Sequence, residues 1–493
     1  MTLLLDRRRL LGAGIALTAL PGLARAATSP VQGFATEVAA LLEPSSGQAE
    51  RKRFWETRLS NAARNRWPWD AFDQDIAALA AASGGVALLS VEPGTTPGRF
   101  NLALRTRRQG LVRYIRLRID RDEPDRLFEV LAMPSPTPYP RADLPAGPMS
   151  RADLAAAIDR RVRFAVDRDE FSGAVRVLAP DGGVVYEQAF GMADKAAGVA
   201  NTPTTRFHIG SADKSFTAIM AGRLIEAGRL SLDTRLVDIL PDYPNREAAA
   251  AITVRHLLTH SSGLGGLFDR PAFDGKKPFR RMADLFPAFA SEPLAFAPGS
   301  RAAYSNEGFV VLGAVIEQVT GESWYDLLAR QVYQPAGMIR SGHPILGEPT
   351  TGMAIGYQYG TDDALALSGR SRNDGRRGYR GNSCGGGYCT VGDMTAYIVA
   401  LRAGRLLPPP MLQTMTQQAE GGLRDYGMGF QVRTVGDRRT IGHGGGGPFS
   451  GIDGDTRIVW ETGWAWSILG NYDAPFAGEV SADIATLLAA QDA

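Results

Sequence analysis

The chain has 493 residues, 44% of them hydrophobic and 22% charged, which suits a globular protein with ample core. At roughly 150 residues per domain this length allows two or three domains. Its 54 basic and 52 acidic side chains leave a net charge of +2, so nothing in the charge balance points to nucleic-acid binding. Two cysteines, Cys384 and Cys389, at a spacing other than Cys-x-x-Cys, argue against a redox dithiol or a zinc site.

The N-terminus reads as an address. Asp6-Arg7-Arg8-Arg9 precedes the apolar run Leu10–Leu20, followed by Pro21-Gly22 and the Ala24-Arg25-Ala26 cleavage pattern. Residues 1–26 are expected to be a bacterial export signal of the twin-arginine kind, removed near Ala26 to leave a periplasmic or secreted product. The apolar run is too short to span a bilayer, and no stable membrane span is expected elsewhere.

Residues 29–131 predict a small α+β domain. Helical patterns cover Gln32–Leu42, Arg51–Asn65 and Ala71–Ala81, then a strand covers Gly85–Val91. Phe100–Thr106 and Leu111–Ile119 form a hairpin across Arg107-Arg108-Gln109-Gly110. Ile115, Leu117 and Ile119 alternate with Arg116 and Arg118, giving one apolar face and one solvated arginine face. A curved antiparallel sheet, cystatin-like or nuclear-transport-factor-like, fits this pattern, and no activity is assigned to it. Prolines at 134, 136, 138, 140, 145 and 148 make residues 132–149 a stiff linker.

The remainder, 150–493, opens with an amphipathic helix over Arg151–Val166. Strands follow over Gly173–Leu178 and Val184–Gly191, around the turn Asp181-Gly182-Gly183. A long helix occupies Ser215–Gly228, and Asp233–Leu407 is largely helical and loop-like. Strands return at Tyr426–Thr434, Arg439–Gly442, Gly451–Trp460 and Trp464–Asn471, and a helix closes the chain over Glu479–Ala490. Strands from both ends with helices between predict an antiparallel sheet flanked by helices, with an inserted helical subdomain.

Three short elements carry chemistry. Ser211 and Lys214 lie at i and i+3 at the start of the long helix, so they share a face. A serine hydroxyl needs a neighbour to take its proton, and lysine can serve. Tyr304-Ser305-Asn306 follows the Pro298-Gly299 turn; a tyrosine beside a cation can shuttle a proton. His443 opens a glycine run, Gly444 to Gly447, whose bare backbone lets a substrate approach and offers N–H groups to an oxyanion. His256 and His260 are four apart, but Leu257 stands where a metalloprotease carries Glu. The helix-ending reading is preferred, and no metal site is expected.

In this order the three elements resemble the serine β-lactamase and penicillin-binding protein superfamily, which carries Ser-x-x-Lys first. The Tyr-x-Asn second element resembles the class C-related branch, with its β-lactamase-like esterases, D-aminopeptidases and D-alanyl-D-alanine carboxypeptidases. Leu257–Leu264, Tyr304–Gly321 and Gly385-Gly386-Gly387-Tyr388-Cys389-Thr390 with Asp393 are similar to further segments of that branch, so the resemblance runs from Arg151 to Ala493. It implies a β-lactamase/transpeptidase-like fold and an acyl-enzyme on Ser211. It also implies Lys214 and Tyr304 as proton relay and Asn306 as orienting residue. The N–H groups of Ser211 and Gly446 would form the oxyanion hole, with His443 and Gly445 beside the substrate. No cofactor is implied.

The third element departs from the Lys-Thr-Gly of β-lactamases. A mostly neutral His443 holds an anion less well than lysine, which favours a small ester, amide or peptide substrate over efficient β-lactamase action. A catalytically inactive protein binding cell-wall peptides is the competing reading. Asp213, beside Lys214, is expected to point to solvent. Cys384 and Cys389 are left open between a disulfide and two buried thiols. Specificity is expected in the loops 265–293 and 357–380, where Arg370, Arg372, Arg376, Arg377 and Arg380 form a candidate anion-binding rim. The oligomeric state is not legible.

Overall fold

The computed structural model describes residues 30–93, 98–108, 112–120, 122–133, 139–265, 275–348, 351–358, 370–373, 378–447 and 450–492. The expected export signal, the hairpin tip at 109–111, and Arg376 and Arg377 lie outside the described residues.

The N-terminal part holds α1 (Pro30–Leu41), α2 (Gln48–Arg58), α3 (Asn61–Arg66) and α4 (Trp69–Ser83). A four-stranded antiparallel sheet follows, β1 (Val86–Pro93), β2 (Arg99–Thr106), β3 (Val112–Ile119) and β4 (Leu127–Met133), in that order. The single helix expected over 51–65 is two helices. Ser60 makes the break, because its hydroxyl accepts the Ala63 N–H at 3.3 Å and so starts a new helix. Leu59 is buried there and bridges Leu127. The register sets Leu102 against Ile115 and Leu117 against Val130. This alternation buries Leu102, Leu104, Ile115 and Leu117 with Phe34, Val38, Phe54 and Phe72 of the helices. The sequence pattern did not single out β4. It runs into the stretch 132–149 expected to be a linker, pairing Ala132 with Ile115 and Met133 with Tyr114. Within the same stretch, Tyr139 packs edge-on against Phe164 and beneath Arg161.

Those two residues belong to α5 (Arg151–Val166), capped by Ser150, whose hydroxyl accepts the Asp153 N–H at 3.1 Å. Next come β5 (Gly173–Leu178) and β6 (Val184–Phe190), then α6 (Asp213–Glu226), α7 (Asn306–Thr320) and α8 (Val391–Arg402). The chain ends with β7 (Gln431–Val435), β8 (Arg438–Gly447), β9 (Ile452–Val459), β10 (Ala465–Gly470) and α9 (Phe476–Ala489). The six strands form one antiparallel sheet in the order β7-β8-β9-β10-β5-β6, so the two ends of the region meet where β10 pairs with β5.

Period-2 alternation divides the apolar residues between the two faces. Val175, Val177, Trp466 and Ile468 pack with Leu154, Ile158 and Val162 of α5 and Ile484 and Leu488 of α9. Ala174, Ile441, Ile458 and Leu469 join a larger core with Phe216 and Ile219 of α6, Phe309 and Val310 of α7, and Ile398 of α8. An antiparallel sheet between helical layers, with helices and loops inserted between its first and last strands, matches the fold class expected from the sequence.

Two strand boundaries differ from expectation, both beside the site. The strand expected from Tyr426 starts at Gln431; Tyr426 is buried ahead of it, and Gly429 turns the chain at φ +81°. The strand expected to stop at Gly442 continues through the glycine run to Gly447, with Gly445 opposite Gly454 and Gly446 opposite Asp453. Glycine permits this, because a Cβ on Gly445 would sit 2.0 Å from the Ile209 carbonyl oxygen.

Candidate active site

Ser211 lies on a single 3-10 turn, Gly210–Ala212, that leads directly into α6. Gly210 makes the turn possible at φ +52°, in the left-handed region that glycine enters without cost. A Cβ there would lie 2.6 Å from the Gly446 nitrogen, and one on Gly445 would lie 2.6 Å from the Ser211 nitrogen. The turn that carries Ser211 and the glycine strand therefore touch backbone to backbone. The N–H groups of Ser211 and Gly446, the pair expected to hold an oxyanion, belong to these two touching segments. The turn is also tied from the other side: the Gly210 N–H donates to His208 Nδ1 at 3.0 Å.

Lys214, one turn beyond Ser211, is fully buried. Its Nζ lies 3.1 Å from Ser211 Oγ, 2.7 Å from Asn306 Oδ1 and 2.6 Å from the Cys384 carbonyl oxygen. The two carbonyl-type oxygens can only accept hydrogen bonds. As a free amine, Lys214 would give its two hydrogens to them and turn its lone pair toward Ser211. Asn306, the first residue of α7, fixes this geometry across the cleft floor.

Tyr304 is near but arranged differently from a simple relay. Its ring lies 4.8 Å from Lys214 Nζ, stacks on His260 at 4.4 Å, and remains 46% exposed. His260 holds this corner together. Its Nδ1 accepts the Ser305 N–H at 3.0 Å, and its ring also meets Phe309 and Tyr426. It sits at φ +58°, beyond the helix Val254–Leu258, so it does not share a helix face with His256. His256 instead accepts the Thr253 N–H in a capping box. Among the described residues no group of three or more His, Cys, Asp or Glu forms a metal cluster.

Asp213 does not point to solvent. It is fully buried, accepts the Gly387 N–H at 2.7 Å, and meets His343 Nε2 at 3.1 Å. The Gly387 carbonyl in turn accepts the Ile209 N–H at 2.9 Å. Helical position alone suggested exposure. The segment 381–389 overrides it by closing over the start of α6.

His443 departs from its expected place beside the substrate. It is 3% exposed and lies behind the cleft wall. Its Nδ1 meets the Gly444 carbonyl oxygen at 2.5 Å, so that nitrogen carries the hydrogen; Nε2, 3.2 Å from the Tyr426 hydroxyl, accepts. Burial, reinforced by the Lys214 charge, pushes its pKa down to about 3, so the ring is neutral. Gly445 is likewise packed against Ile209–Ser211 rather than facing the cleft, whereas Gly446 and Gly447 line it.

Cys384 and Cys389 are both buried free thiols, and the disulfide alternative falls. Cys389 is in the short strand Tyr388–Cys389 paired with Phe207–His208, and Cys384, whose own carbonyl faces Lys214, precedes the glycine turn. Burial raises the Cys384 thiol to about 11, which keeps it protonated and unreactive.

The cleft over Ser211 has a volume of about 970 Å³. Ser211, Asn306, His208, Tyr388, Phe279 and Arg380 are among the residues that line it. The sequence reading gave no site role to His208, His260, His343 or Asp213. Two of them carried a signal: His260, inside the Leu257–Leu264 segment of the resemblance, and Asp213, as a carboxylate directly beside a lysine.

The Beta-lactamase family model matches residues 158–491. Esterase EstB of Burkholderia gladioli is 33% identical over 239 residues, covering 44% of this chain and 58% of that protein. The D-aminopeptidase of Brucella anthropi is 30% identical over 307 residues, covering 60% of this chain and 56% of that protein. The chain thus spans less than two thirds of either relative's length. Among solved structures, a penicillin-binding protein from Bacillus halodurans superposes with a TM-score of 0.58 at 29% identity, covering 66% of this chain and 98% of its own. The D-amino acid amidase from Ochrobactrum anthropi SV3, complexed with L-phenylalanine amide, gives 0.56 at 25% identity, covering 69% and 98%. A family match across residues 158–491, over a fold and motif order of this kind, means that the chain belongs to the Beta-lactamase family.

Proposed function

We propose that the protein is an exported serine hydrolase that cleaves small esters or amide bonds through an acyl-enzyme on Ser211. The observation that carries this reading is the hydrogen-bond set of Lys214. Two acceptors orient its amine, and its third direction meets the serine hydroxyl at 3.1 Å. Ser211 Oγ attacks the carbonyl carbon while its proton passes to Lys214. The oxyanion is held by the N–H groups of Ser211 and Gly446, preorganised where the charge develops. Tyr304, over Lys214, returns the proton to the leaving alcohol or amine. Water then cleaves the acyl-enzyme along the reverse path.

Likeness to an esterase and to a D-aminopeptidase supports both ester and amide substrates. A buried neutral His443 supports them over β-lactams, whose carboxylate calls for a cation at that place. Export rests on the leader pattern of residues 6–26 in the sequence.

The test is intact-mass spectrometry after incubation with a fluorophosphonate, p-nitrophenyl butyrate and penicillin G. A fluorophosphonate adduct on the native protein, absent from Ser211→Ala, with p-nitrophenol release, is the expected result. No adduct with any probe would overturn the mechanism and favour a binding protein. A lasting penicilloyl adduct would move the activity toward a penicillin-binding peptidase.

A further inference from the structure

The cleft wall carries charge of one sign. Lys276 and Arg380 line it, and among the described residues no aspartate or glutamate does. Arg380 is a fixed cation rather than a loose surface arginine. Its Nε donates to the His343 carbonyl oxygen at 2.8 Å, and its guanidinium carbon lies 3.5 Å from the centre of the Tyr325 ring. Tyr325 donates its hydroxyl to the Gly381 carbonyl oxygen at 2.7 Å, so the aromatic platform is tied to the residue next to the cation it supports. His343 is itself anchored by Asp213.

A guanidinium presents five N–H donors in a rigid fork. The Nε hydrogen is used on the protein. Among the described residues no carboxylate pairs with the two terminal nitrogens. Stacking and the Nε bond have already taken the rotamer freedom that binding would otherwise cost, and a forked cation of this kind matches a carboxylate with two parallel hydrogen bonds. The cation also shares a wall with the nucleophile. Gly381, next in the chain, packs against Gly386, whose N–H faces the Gly210 carbonyl oxygen at 3.3 Å, one residue from Ser211. His443 contributes no competing charge.

We propose that Arg380 is a substrate-binding residue for a carboxylate, and that the protein's substrates are esters or amides bearing a carboxylate away from the scissile bond. This deepens the hydrolase reading above and rests on it.

Two substrate pairs test it. Mono-p-nitrophenyl adipate and its methyl ester differ only in a charge on the acyl side. 4-Acetoxybenzoate and its methyl ester differ only in a charge on the leaving-group side. The native enzyme should prefer the charged member of one pair, and that pair identifies the side Arg380 serves. In Arg380→Gln the ratio of kcat/KM, charged over neutral, should fall roughly 10- to 100-fold, the range for losing a charge-assisted hydrogen bond. Arg380→Lys, which keeps the charge and loses the fork, should retain part of the preference. Adipate binding by calorimetry reads Arg380 without turnover, and should be weakened by the same factor in Arg380→Gln. If the native enzyme cleaves both neutral esters yet prefers neither charged partner, the carboxylate proposal fails while the hydrolase reading stands. The proposal also fails if the preference, or adipate binding, survives in Arg380→Gln. If neither member of either pair is cleaved, the hydrolase reading fails, and calorimetry alone decides Arg380.

Discussion

Asp213 and His343 meet at 3.1 Å beneath the segment that roofs the cleft, with Asp213 also holding the Gly387 N–H at 2.7 Å. That segment delivers the Cys384 carbonyl to Lys214, so a side chain outside the cleft lining helps to set the position of the Lys214 amine. Asp213→Ala takes the partner from the Gly387 N–H and from His343 Nε2 in the interior, leaving His343 only the Tyr333 hydroxyl at Nδ1. Each orphaned group costs about 1–3 kcal/mol, so the variant should be visibly less stable to urea. Fluorophosphonate labelling of Ser211 should slow as well. Asp213→Asn keeps an acceptor for Gly387 and should show a milder loss on both measures. An Asp213→Ala protein with native stability and native labelling would remove Asp213 from the site's support.

Tyr304 makes two separable contributions, a ring over Lys214 and a hydroxyl. Tyr304→Phe keeps the ring, its stack on His260 and its contact with Lys214 Nζ. If the hydroxyl relays protons, kcat for an amide substrate should fall by about 10²-fold, the low end for general acid–base groups. An activated p-nitrophenyl ester, whose leaving group needs little protonation, should be affected less. Equal losses on both substrates would assign Tyr304 a packing role instead.

Gly445 packs its α-carbon against the backbone of the turn that carries Ser211. Gly445→Ala would place a methyl 2.0 Å from the Ile209 carbonyl oxygen and 2.6 Å from the Ser211 nitrogen. Both obstacles are backbone, so relief requires moving the turn that carries Ser211. The expected cost is about 1–3 kcal/mol of stability, as for other overpacked sites, together with a drop in kcat of tenfold or more. Gly447→Ala serves as the control, because a Cβ there meets nothing within 4 Å.

Much of this was legible in the sequence, for identifiable reasons. The order Ser211–Lys214, Tyr304–Asn306, His443–Gly446 is a local property of short segments, and local spacing survives without knowledge of the fold. The strands read over residues 173–178 and 464–471 are likewise local, and the structure buries both. What escaped was long-range. Asp213 is buried by residues some 170 positions later, and helical periodicity cannot see such a neighbour. The strand through Gly442–Gly447 was cut short because glycine has poor strand propensity, whereas here close backbone contact demands it. The helix break at Leu59–Ser60 was hidden because Leu59 reads as one more apolar helical residue until its bridge to Leu127 is known.

His443 gives the chain a testable acid sensitivity. In the folded protein its pKa is pushed down to about 3 by burial and by the Lys214 charge, while an unfolded histidine titrates near roughly 6.5. Between those values the unfolded chain binds a proton at this site and the folded chain does not. Stability is therefore complete above about pH 6.5 and declines as pH falls, by at most about 1.4 kcal/mol per pH unit for one proton. His260, also held well below its usual range by burial, acts in the same direction. Glu317, raised by burial, acts in the opposite one. The clean reading is a comparison at matched pH between the native protein and His443→Gln, followed by urea denaturation from pH 7 to pH 4.5. His443→Gln should lose stability less steeply than the native protein over that range, by the worth of one proton. Parallel curves would mean that His443 takes up its proton in the folded state, and with it the positive charge that the present geometry denies it.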